Sequence, residues 1–140
     1  MNIEFAGRLN NPKLILKDFK YWVIILKENG TTLGHSVIIL KSNKPNFRFV
    51  TEEEMAEFPK VCAWFEEATK NVLGAIKWNY CAMMMKEEFV HFQAVPRYNQ
   101  PVKFYSQIWA DDDWPRRPSF GKLDMSTEML IELKNELTRI

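Results

Sequence analysis

The sequence is short of the residues that build covalent frameworks and flexible linkers. It contains two cysteines, two histidines and five glycines among 140 residues. Cys62 and Cys81 match neither a metal-ligand spacing nor a disulfide framework, which argues against a zinc module and against a disulfide-stabilised secreted scaffold. Internal repeats and low-complexity tracts are lacking too, so we expect residues 1–140 to form a single domain.

A strong net charge and long apolar runs are also lacking. Nineteen basic and eighteen acidic side chains leave a formal charge of +1, so no long-range field favours nucleic acid or an anionic membrane. No apolar run approaches the roughly 18 residues of a membrane span, and the N-terminal residues lack the organisation of a secretory signal. We therefore expect a cytoplasmic protein without nucleic-acid or membrane partners, in which any phosphate recognition is local.

The first strong pattern in the sequence is a β-hairpin. Residues 21–26 and 35–40 are rich in β-branched and aromatic side chains and are separated by a segment that contains Asn29-Gly30. This arrangement predicts two antiparallel strands. Gly34, immediately before His35, permits a bend or a bulge at the start of the second strand.

A helix is predicted to begin after Thr51. Thr51 and Glu54 have the spacing of a capping box, and the pattern ends near Gly74. Pro59 removes one backbone hydrogen bond, so we expect a kink or a break near Phe58. Apolar residues at spacings of three and four predict the face that covers the sheet: Met55, Phe58, Cys62, Phe65 and Val72.

The second half of the chain predicts another hairpin and a final helix. Residues 78–85 and 89–95 form two apolar segments around a turn at 86–88, and Pro96 is expected to end the second strand. Alternation places His91 and Gln93 on one face of that strand. A short strand is expected within residues 104–109, and Ser126 caps a helix whose apolar stripe is Met129, Leu130, Leu133 and Leu137. Together these elements indicate an antiparallel α+β domain.

Residues 89–98 read Phe-Val-His-Phe-Gln-Ala-Val-Pro-Arg-Tyr. They resemble the signature of the histidine triad (HIT) superfamily, in which three histidines alternate with apolar residues, with the Pro-Arg-Tyr tail common in its bacterial branch. Residues 32–41 resemble the strand that precedes the helix in that family, and the helix opening at Thr51 follows at the expected distance. The resemblance covers about residues 20–100, with Phe89 and Gln93 in place of the first and third histidines.

The resemblance implies both a fold and a reaction. The fold is a five-stranded antiparallel sheet with one long helix, followed by a C-terminal loop and helix at residues 101–140, and the assembly is a homodimer. The reaction takes place at the α-phosphorus of a nucleotide such as a dinucleoside polyphosphate, through a nucleotidyl-histidine intermediate. Neither a metal nor a cofactor is required for that step.

The resemblance also assigns roles to the polar residues of the motif. His91 is the nucleophile, and His35 corresponds to the upstream histidine that orients the motif. Glutamine at position 93 is characteristic of the galactose-phosphate uridylyltransferase and dinucleoside-polyphosphate phosphorylase branches. Gln93 can hydrogen-bond a phosphate but cannot donate a proton to a leaving group as imidazolium can, so leaving groups that need no protonation are favoured.

Three further residues are candidates for substrate binding: Arg97, Asn79 and Lys86. Each has a structural alternative. Arg97 suits a phosphate or a partner subunit, and its structural alternative is a surface salt bridge. Asn79 lies on a strand, where packing is common, and Lys86 shares a predicted solvated turn with Glu87 and Glu88.

The run Asp111-Asp112-Asp113 raises the question of a metal site. Consecutive aspartates point in different directions, and the spacing lacks the alternation and glycine of a calcium loop. We therefore predict a polar loop held by Trp109 and Trp114, with no bound metal.

Two functions from different classes remain open at this stage. The first is a nucleotide hydrolase or nucleotidyltransferase that uses His91, Gln93 and His35. The second is a catalytically weak or inactive nucleotide-binding protein of the same fold, which is favoured by Phe89 and by the bulky, acidic segment before it. An unrelated α+β interaction domain would require that nucleotides fail to stabilise the fold.

Overall fold

The computed structural model describes residues 11–139, and its centre is a five-stranded antiparallel sheet. The strand order is β1-β2-β3-β5-β4, so β1 and β4 form the two edges. The strands are β1 (Ile15–Asp18), β2 (Trp22–Leu26), β3 (Ser36–Leu40), β4 (Lys77–Cys81) and β5 (His91–Arg97). A separate hairpin contains β6 (Val102–Phe104) and β7 (Gln107–Trp109). The α+β fold with a five-stranded antiparallel sheet is confirmed.

Two helices cover the sheet. The long helix α1 (Glu52–Leu73) packs against β2, and the C-terminal helix α2 (Thr127–Thr138) packs against α1 and β1. Short 3-10 helices at Pro12–Leu14 and Phe47–Phe49 precede β1 and α1. The fully buried side chains of Trp22, Ile38 and Phe65 lie in the core that these layers form. No helix in residues 11–139 is long and apolar enough to cross a membrane.

The predicted start and end of α1 are confirmed, whereas a break at Pro59 is not. Thr51 and Glu54 form both hydrogen bonds of the capping box, and Gly74 ends the helix with a positive φ of 82°. The helix continues through Pro59 as one element. Packing of both halves on the sheet outweighs the cost of a proline in a helix interior, which is about 3 kcal/mol from the lost hydrogen bond and the clash of its ring together.

The buried face of α1 differs from the predicted stripe. Met55 and Val72 are exposed, with 41% and 37% of their surfaces accessible. The residues that the helix buries are Glu54, Val61, Phe65, Thr69 and Leu73. The stripe is shifted because Glu54 and Thr69 turn inward to accept and donate hydrogen bonds, which a purely apolar pattern does not anticipate.

The second hairpin is shorter and its loop longer than predicted. β4 ends at Cys81 and β5 begins at His91, so residues 82–90 form the connection. Val90 does not extend the pairing with β4 because its N–H donates to Lys44 O and its carbonyl accepts from Leu40 N. Pro96 does not end β5 either, because it lies within the strand opposite Trp78 on the edge strand β4.

The C-terminal third also differs in detail from the prediction. The expected short strand at 104–109 is a tight hairpin, with Tyr105 and Ser106 at φ values of 54° and 57° in its turn. β1 was not predicted, because only four residues form it and two of them are exposed. The final helix is confirmed, and Ser126 caps it by accepting a hydrogen bond from Met129 N.

Candidate active site

His91 and Gln93 lie on the face of the sheet opposite α1. Across the sheet, His91 pairs with Ile39 and Gln93 pairs with Val37, so these four side chains share one face. Phe92, between the two polar residues, points to the other face, where its ring is 4.6 Å from that of Phe58 on α1. The alternation of β5 therefore separates the polar groups from the aromatic core.

A backbone carbonyl determines the tautomer of the neutral His91 ring. The side chain is buried, with 6% of its surface exposed, and its Nδ1 is 2.7 Å from Phe89 O. A carbonyl oxygen only accepts hydrogen bonds, so Nδ1 carries a proton and the neutral ring keeps its lone pair on Nε2. The ring of Phe89 is 5.3 Å from the imidazole and packs against it. His91 is thereby held in the tautomer that a nucleophilic Nε2 requires.

His35 has the opposite tautomer. Thr31 N donates a hydrogen bond to Nδ1 over 2.9 Å, so the proton of the neutral ring is on Nε2. Nε2 donates to Gln93 Oε1 over 2.8 Å. Burial lowers the pKa of His35 to about 4; the Gln93 hydrogen bond opposes this shift, and the positive charge of Lys27 adds to it. His35 is therefore a neutral donor at physiological pH.

The bond from His35 determines which end of Gln93 remains available. Because Oε1 accepts from His35, the two N–H groups of the side-chain amide are left for another acceptor. No residue among those described accepts a hydrogen bond from this amide. Gln93 thus offers two permanent donors beside His91.

The C-terminal segment supports His35 from the other side. The ring of Phe120 is 5.8 Å from that of His35, and Thr31 Oγ1 donates to Ser119 O over 2.8 Å. Gly30 lies against His35, where an added Cβ would approach His35 Cβ to 2.8 Å. The sequence alone does not indicate these contacts, since nothing in the local pattern near Phe120 points to a partner about 85 residues earlier.

A cavity of about 270 Å³ opens over His91 and Gln93. Aliphatic side chains of β2 and β3 line it, and Phe89 contributes an aromatic surface. The charged residues of the lining are Lys27, Glu28 and Glu87. The described residues that line the cavity are Asn11, Ile25, Leu26, Lys27, Glu28, Asn29, Val37, Ile39, Glu87, Phe89, His91 and Gln93. A cavity in which aliphatic and aromatic side chains lie beside an imidazole and amide donors has the composition of a small-molecule site.

Arg97 and Asn79 lie outside this cavity and bond to each other. Arg97 is 3% exposed and donates to Asp111 over 2.7 Å, to Asn79 Oδ1 over 2.7 Å and to Arg116 O over 2.6 Å. These contacts occupy most of its guanidinium, and the ring of Trp114 lies 5.7 Å away. Both residues line a second groove beside β4 rather than the surface around His91.

Lys86 and the three aspartates likewise stand apart from His91. Lys86 is exposed in the 82–90 connection and does not line the cavity, although Glu87 from the same loop does. Asp111 pairs with Arg97, and Asp113 pairs with Lys122 over 2.8 Å. The described residues contain no group of three His, Cys, Asp or Glu side chains arranged to hold a metal ion.

No protein-family model matches the sequence, and no curated protein matches it. Solved structures do match the fold. A hypothetical histidine triad nucleotide-binding protein from Sulfolobus tokodaii aligns with a TM-score of 0.66 and 16% identity, over 89% of this chain and 80% of that one. A Zn-bound histidine triad family protein from Mycobacterium smegmatis gives 0.67 and 18%, over 97% and 90%.

A third similar structure is an enzyme. Plasmodium falciparum diadenosine triphosphate hydrolase aligns with a TM-score of 0.67 and 13% identity, over 91% of this chain and 76% of that one. Identities this low establish the architecture and leave the activity to be argued from the site. The chain described here has the fold of the histidine triad proteins.

Proposed function

We propose that this protein is a nucleotide hydrolase or nucleotidyltransferase that acts at the α-phosphorus through a nucleotidyl-His91 intermediate. The observation that carries the proposal is the hydrogen bond between His91 Nδ1 and Phe89 O, which leaves the Nε2 lone pair available in a cavity-lining side chain. Gln93 lies two residues away on the same face, and no residue within 11–139 accepts a hydrogen bond from its side-chain amide. A nucleophile and a hydrogen-bond donor for the phosphate are therefore adjacent.

The proposed reaction has two steps. In the first, the lone pair of His91 Nε2 forms a bond to the α-phosphorus while the bond from phosphorus to the leaving-group oxygen breaks, and that oxygen keeps the electron pair. In the second, the oxygen of water or of another acceptor forms a bond to the phosphorus while the N–P bond breaks, its electron pair returns to Nε2, and the proton of the attacking water is released to solvent. The intermediate divides one difficult displacement into two easier ones.

The hydrogen-bond chain also favours a particular kind of leaving group. Gln93 has no titratable proton, and burial lowers the pKa of His35 to about 4, so neither side chain is an acid near neutral pH. A leaving group that departs as a stable anion, such as a phosphate ester or polyphosphate, suits this site better than an amine or an alcohol. The diadenosine triphosphate hydrolase of similar fold acts on a substrate of this class.

A single comparison tests the proposed activity. Wild-type protein and His91→Ala are incubated with diadenosine tetraphosphate, with and without inorganic phosphate, while products and intact protein mass are followed. We expect turnover and a protein adduct of one nucleotidyl group in the wild type, and a loss of activity of at least about a thousandfold in His91→Ala. Dependence of the products on added phosphate separates phosphorolysis from hydrolysis.

Lys86→Ala is the matched control in that experiment. Lys86 is exposed and lies outside the cavity, so its removal is expected to leave turnover unchanged. Equal activity in the wild type and His91→Ala would contradict the covalent mechanism.

The second candidate is a nucleotide-binding protein that turns its ligand over slowly or not at all. It is favoured by Phe89, an apolar ring packed on His91, and by the carboxylate of Glu87 in the cavity lining, which repels an anionic substrate. Nucleotide binding measured by calorimetry, with no product and no adduct after long incubation, would support this candidate over the enzyme.

We also propose that the protein is cytoplasmic, as its few cysteines suggest, and that it is a homodimer, as the resemblance to the histidine triad proteins implies. Most soluble oligomers of identical chains are symmetric, and twofold dimers are the commonest of them. Light scattering on the purified protein tests the dimer, which has twice the 16.6 kDa mass of the chain. A mass equal to that of one chain across micromolar concentrations would contradict it.

A further inference from the structure

Residues 119–123 form a strap that lies against the turn before β3. Gly30 O in that turn accepts hydrogen bonds from the backbone N–H groups of two strap residues, over 2.8 and 3.2 Å. The hydroxyl of the next residue, Thr31, donates to Ser119 O over 2.8 Å. Hydrogen bonds from backbone and side chain thus join the strap to two consecutive residues of the turn.

The peptide group between Gly30 and Thr31 connects this strap to His35. It is a planar trans peptide, so its C=O and its N–H point in opposite directions. The oxygen accepts the two backbone bonds from the strap, and the N–H donates to His35 Nδ1 over 2.9 Å. By holding the oxygen on one side, the strap aims the N–H at the imidazole on the other.

The contact between this peptide and His35 is shielded from solvent. Thr31 and His35 are 4% and 2% exposed, and a Cβ added at Gly30 would lie 2.8 Å from His35 Cβ. Because water has little access, a displaced peptide would leave both its N–H and His35 Nδ1 without a partner, which is unfavourable in a protein interior. The position of the strap therefore affects which nitrogen of His35 carries the proton.

The tautomer of His35 in turn determines the orientation of the Gln93 amide. In the present arrangement Nε2–H of His35 donates to Gln93 Oε1 over 2.8 Å, and the amide nitrogen has no acceptor within residues 11–139. In the other neutral tautomer the proton is on Nδ1, so Nε2 only accepts. The Gln93 amide would then turn over, donate to Nε2 and present its oxygen to the cavity. That oxygen repels the oxygens of a phosphate, so this arrangement disfavours phosphate binding.

We propose that Thr31 is a positioning residue of the candidate site. Its hydroxyl secures the strap, which orients the peptide N–H toward His35. That hydrogen bond keeps the proton of His35 on Nε2 and leaves the N–H groups of Gln93 available to the cavity. The tautomer is a property of the free protein. Its consequence for phosphate binding rests on the proposed function, because it assumes that a nucleotide phosphate meets Gln93.

Nitrogen NMR of the imidazoles tests the proposal without a ligand. Protonated and bare ring nitrogens have well-separated chemical shifts, and the chain has two histidines, which His91→Ala assigns. At about pH 8, above the ordinary histidine pKa of about 6.5, we expect a proton on Nε2 of His35 and on Nδ1 of His91. Thr31→Val removes the hydroxyl but keeps the backbone N–H, and we expect it to give His35 a mixture of tautomers. Thr31→Ser is expected to restore the wild-type pattern.

Thr32→Val is the matched control. Thr32 is 3% exposed, and its hydroxyl donates to Pro96 O over 2.6 Å rather than to the strap. This variant removes the same kind of buried bond one residue away, so we expect a similar fall in the thermal unfolding temperature and an unchanged His35 spectrum. If Thr31→Val leaves His35 protonated on Nε2 alone, or if Thr32→Val shifts the tautomer equally, the proposal is overturned.

Gly121→Ala perturbs the strap while Thr31 stays in place. Gly121 has a φ of +84°, and an added Cβ would meet no atom within 4 Å, so the change acts only through the backbone conformation. Gly74→Ala is its control, because Gly74 has a φ of +82° and equally open surroundings at the end of α1. We expect Gly121→Ala to shift the His35 tautomer as Thr31→Val does, and Gly74→Ala to leave it unchanged. If Thr31→Val does not fold, Gly121→Ala decides alone.

Calorimetric titration with AMP tests the consequence for binding. Thr31→Val is expected to weaken AMP binding by up to about tenfold, as for a hydrogen bond to a charged group, and to have no further effect in a Gln93→Ala background. Equal weakening in both backgrounds would show that Thr31 does not act through Gln93, which overturns the proposal. A wild type that neither binds nor turns over nucleotides, with a tautomer that still depends on Thr31, removes the proposed function and keeps the positioning of His35 by Thr31.

Discussion

At the scale of single residues, His35 makes the free energy of unfolding of the protein depend on pH. Its ring is neutral because burial lowers its pKa to about 4, whereas the unfolded chain titrates near 6.5. Between these values the unfolded state binds a proton that the folded state does not. We therefore expect the free energy of unfolding to fall as the pH decreases from 6.5 to 4, by about 3 kcal/mol at most from this residue.

Urea denaturation at several values between pH 4 and 7.5 measures this effect, with His35→Gln as the comparison. The variant has no titratable group at this position, so the difference between the two proteins isolates His35 from the carboxylates that also titrate. If the free energies of unfolding of the wild type and the variant change in parallel over the whole pH range, His35 is not the cause of the pH dependence.

At the scale of secondary-structure elements, Glu54 joins the start of α1 to the sheet. Its carboxylate accepts hydrogen bonds from Thr51 N, from Ser42 and from Lys44, all within 2.8 Å. Its carbonyl accepts from the indole of buried Trp22 over 2.7 Å. Burial acts to raise its pKa, but the hydrogen bonds outweigh burial and lower the pKa to about 2. The contribution of this carboxylate to stability is therefore present above pH 4.5 and is lost only as the pH falls through about 2.

We expect Glu54→Ala to destabilise the protein by about 2 to 4 kcal/mol, because it removes the side-chain half of the capping box and leaves the half-buried Lys44 ammonium without its partner. Chemical denaturation measures the loss. Glu53→Ala is the control, since Glu53 is exposed in the same first turn and its removal is expected to cost about 0.5 kcal/mol. Equal losses in the two variants would contradict a special role for Glu54.

At the scale of the whole molecule, Arg97 ties the C-terminal segment to the sheet. It is the last residue of β5, and it bonds Asp111 and Arg116 O in the segment that continues to Phe120 over His35. Asp113 holds the same segment by accepting from Ser119 N and Lys122. The second groove is therefore bordered by a structural network that also supports the candidate site from behind.

Removing one partner of the buried pair is expected to destabilise the protein strongly. Arg97→Met leaves the Asp111 carboxylate buried without its counter-ion, at a cost of about 3 to 5 kcal/mol, whereas Arg97→Met with Asp111→Leu removes both charges and recovers a large part of that loss. Thermal or urea unfolding of the single and double variants measures the difference. A double variant no more stable than Arg97→Met would contradict the argument.

Much of the fold was determined by local sequence patterns. The first hairpin, the capping box at Thr51, the glycine end of α1 and the capped C-terminal helix depend on residues within a few positions of each other, and the structure has all of them. The period-2 alternation of β5 likewise placed His91 and Gln93 together on one face. Such signals are readable because propensity, capping and periodicity act over short stretches of chain.

The tertiary structure alone decided which polar residues meet. His35 and Gln93 are 58 residues apart, and their contact depends on β3 lying beside β5. Arg97 and Asn79 were candidates for binding substrate, yet their position in the sheet and the path of the C-terminal segment direct them to the second groove. Lys27, which no sequence motif marks, lines the cavity because β2 lies beside β3. A sequence shows which side chains share a strand face, but strand order and loop path determine what that face encloses, because these depend on the packing of the whole chain.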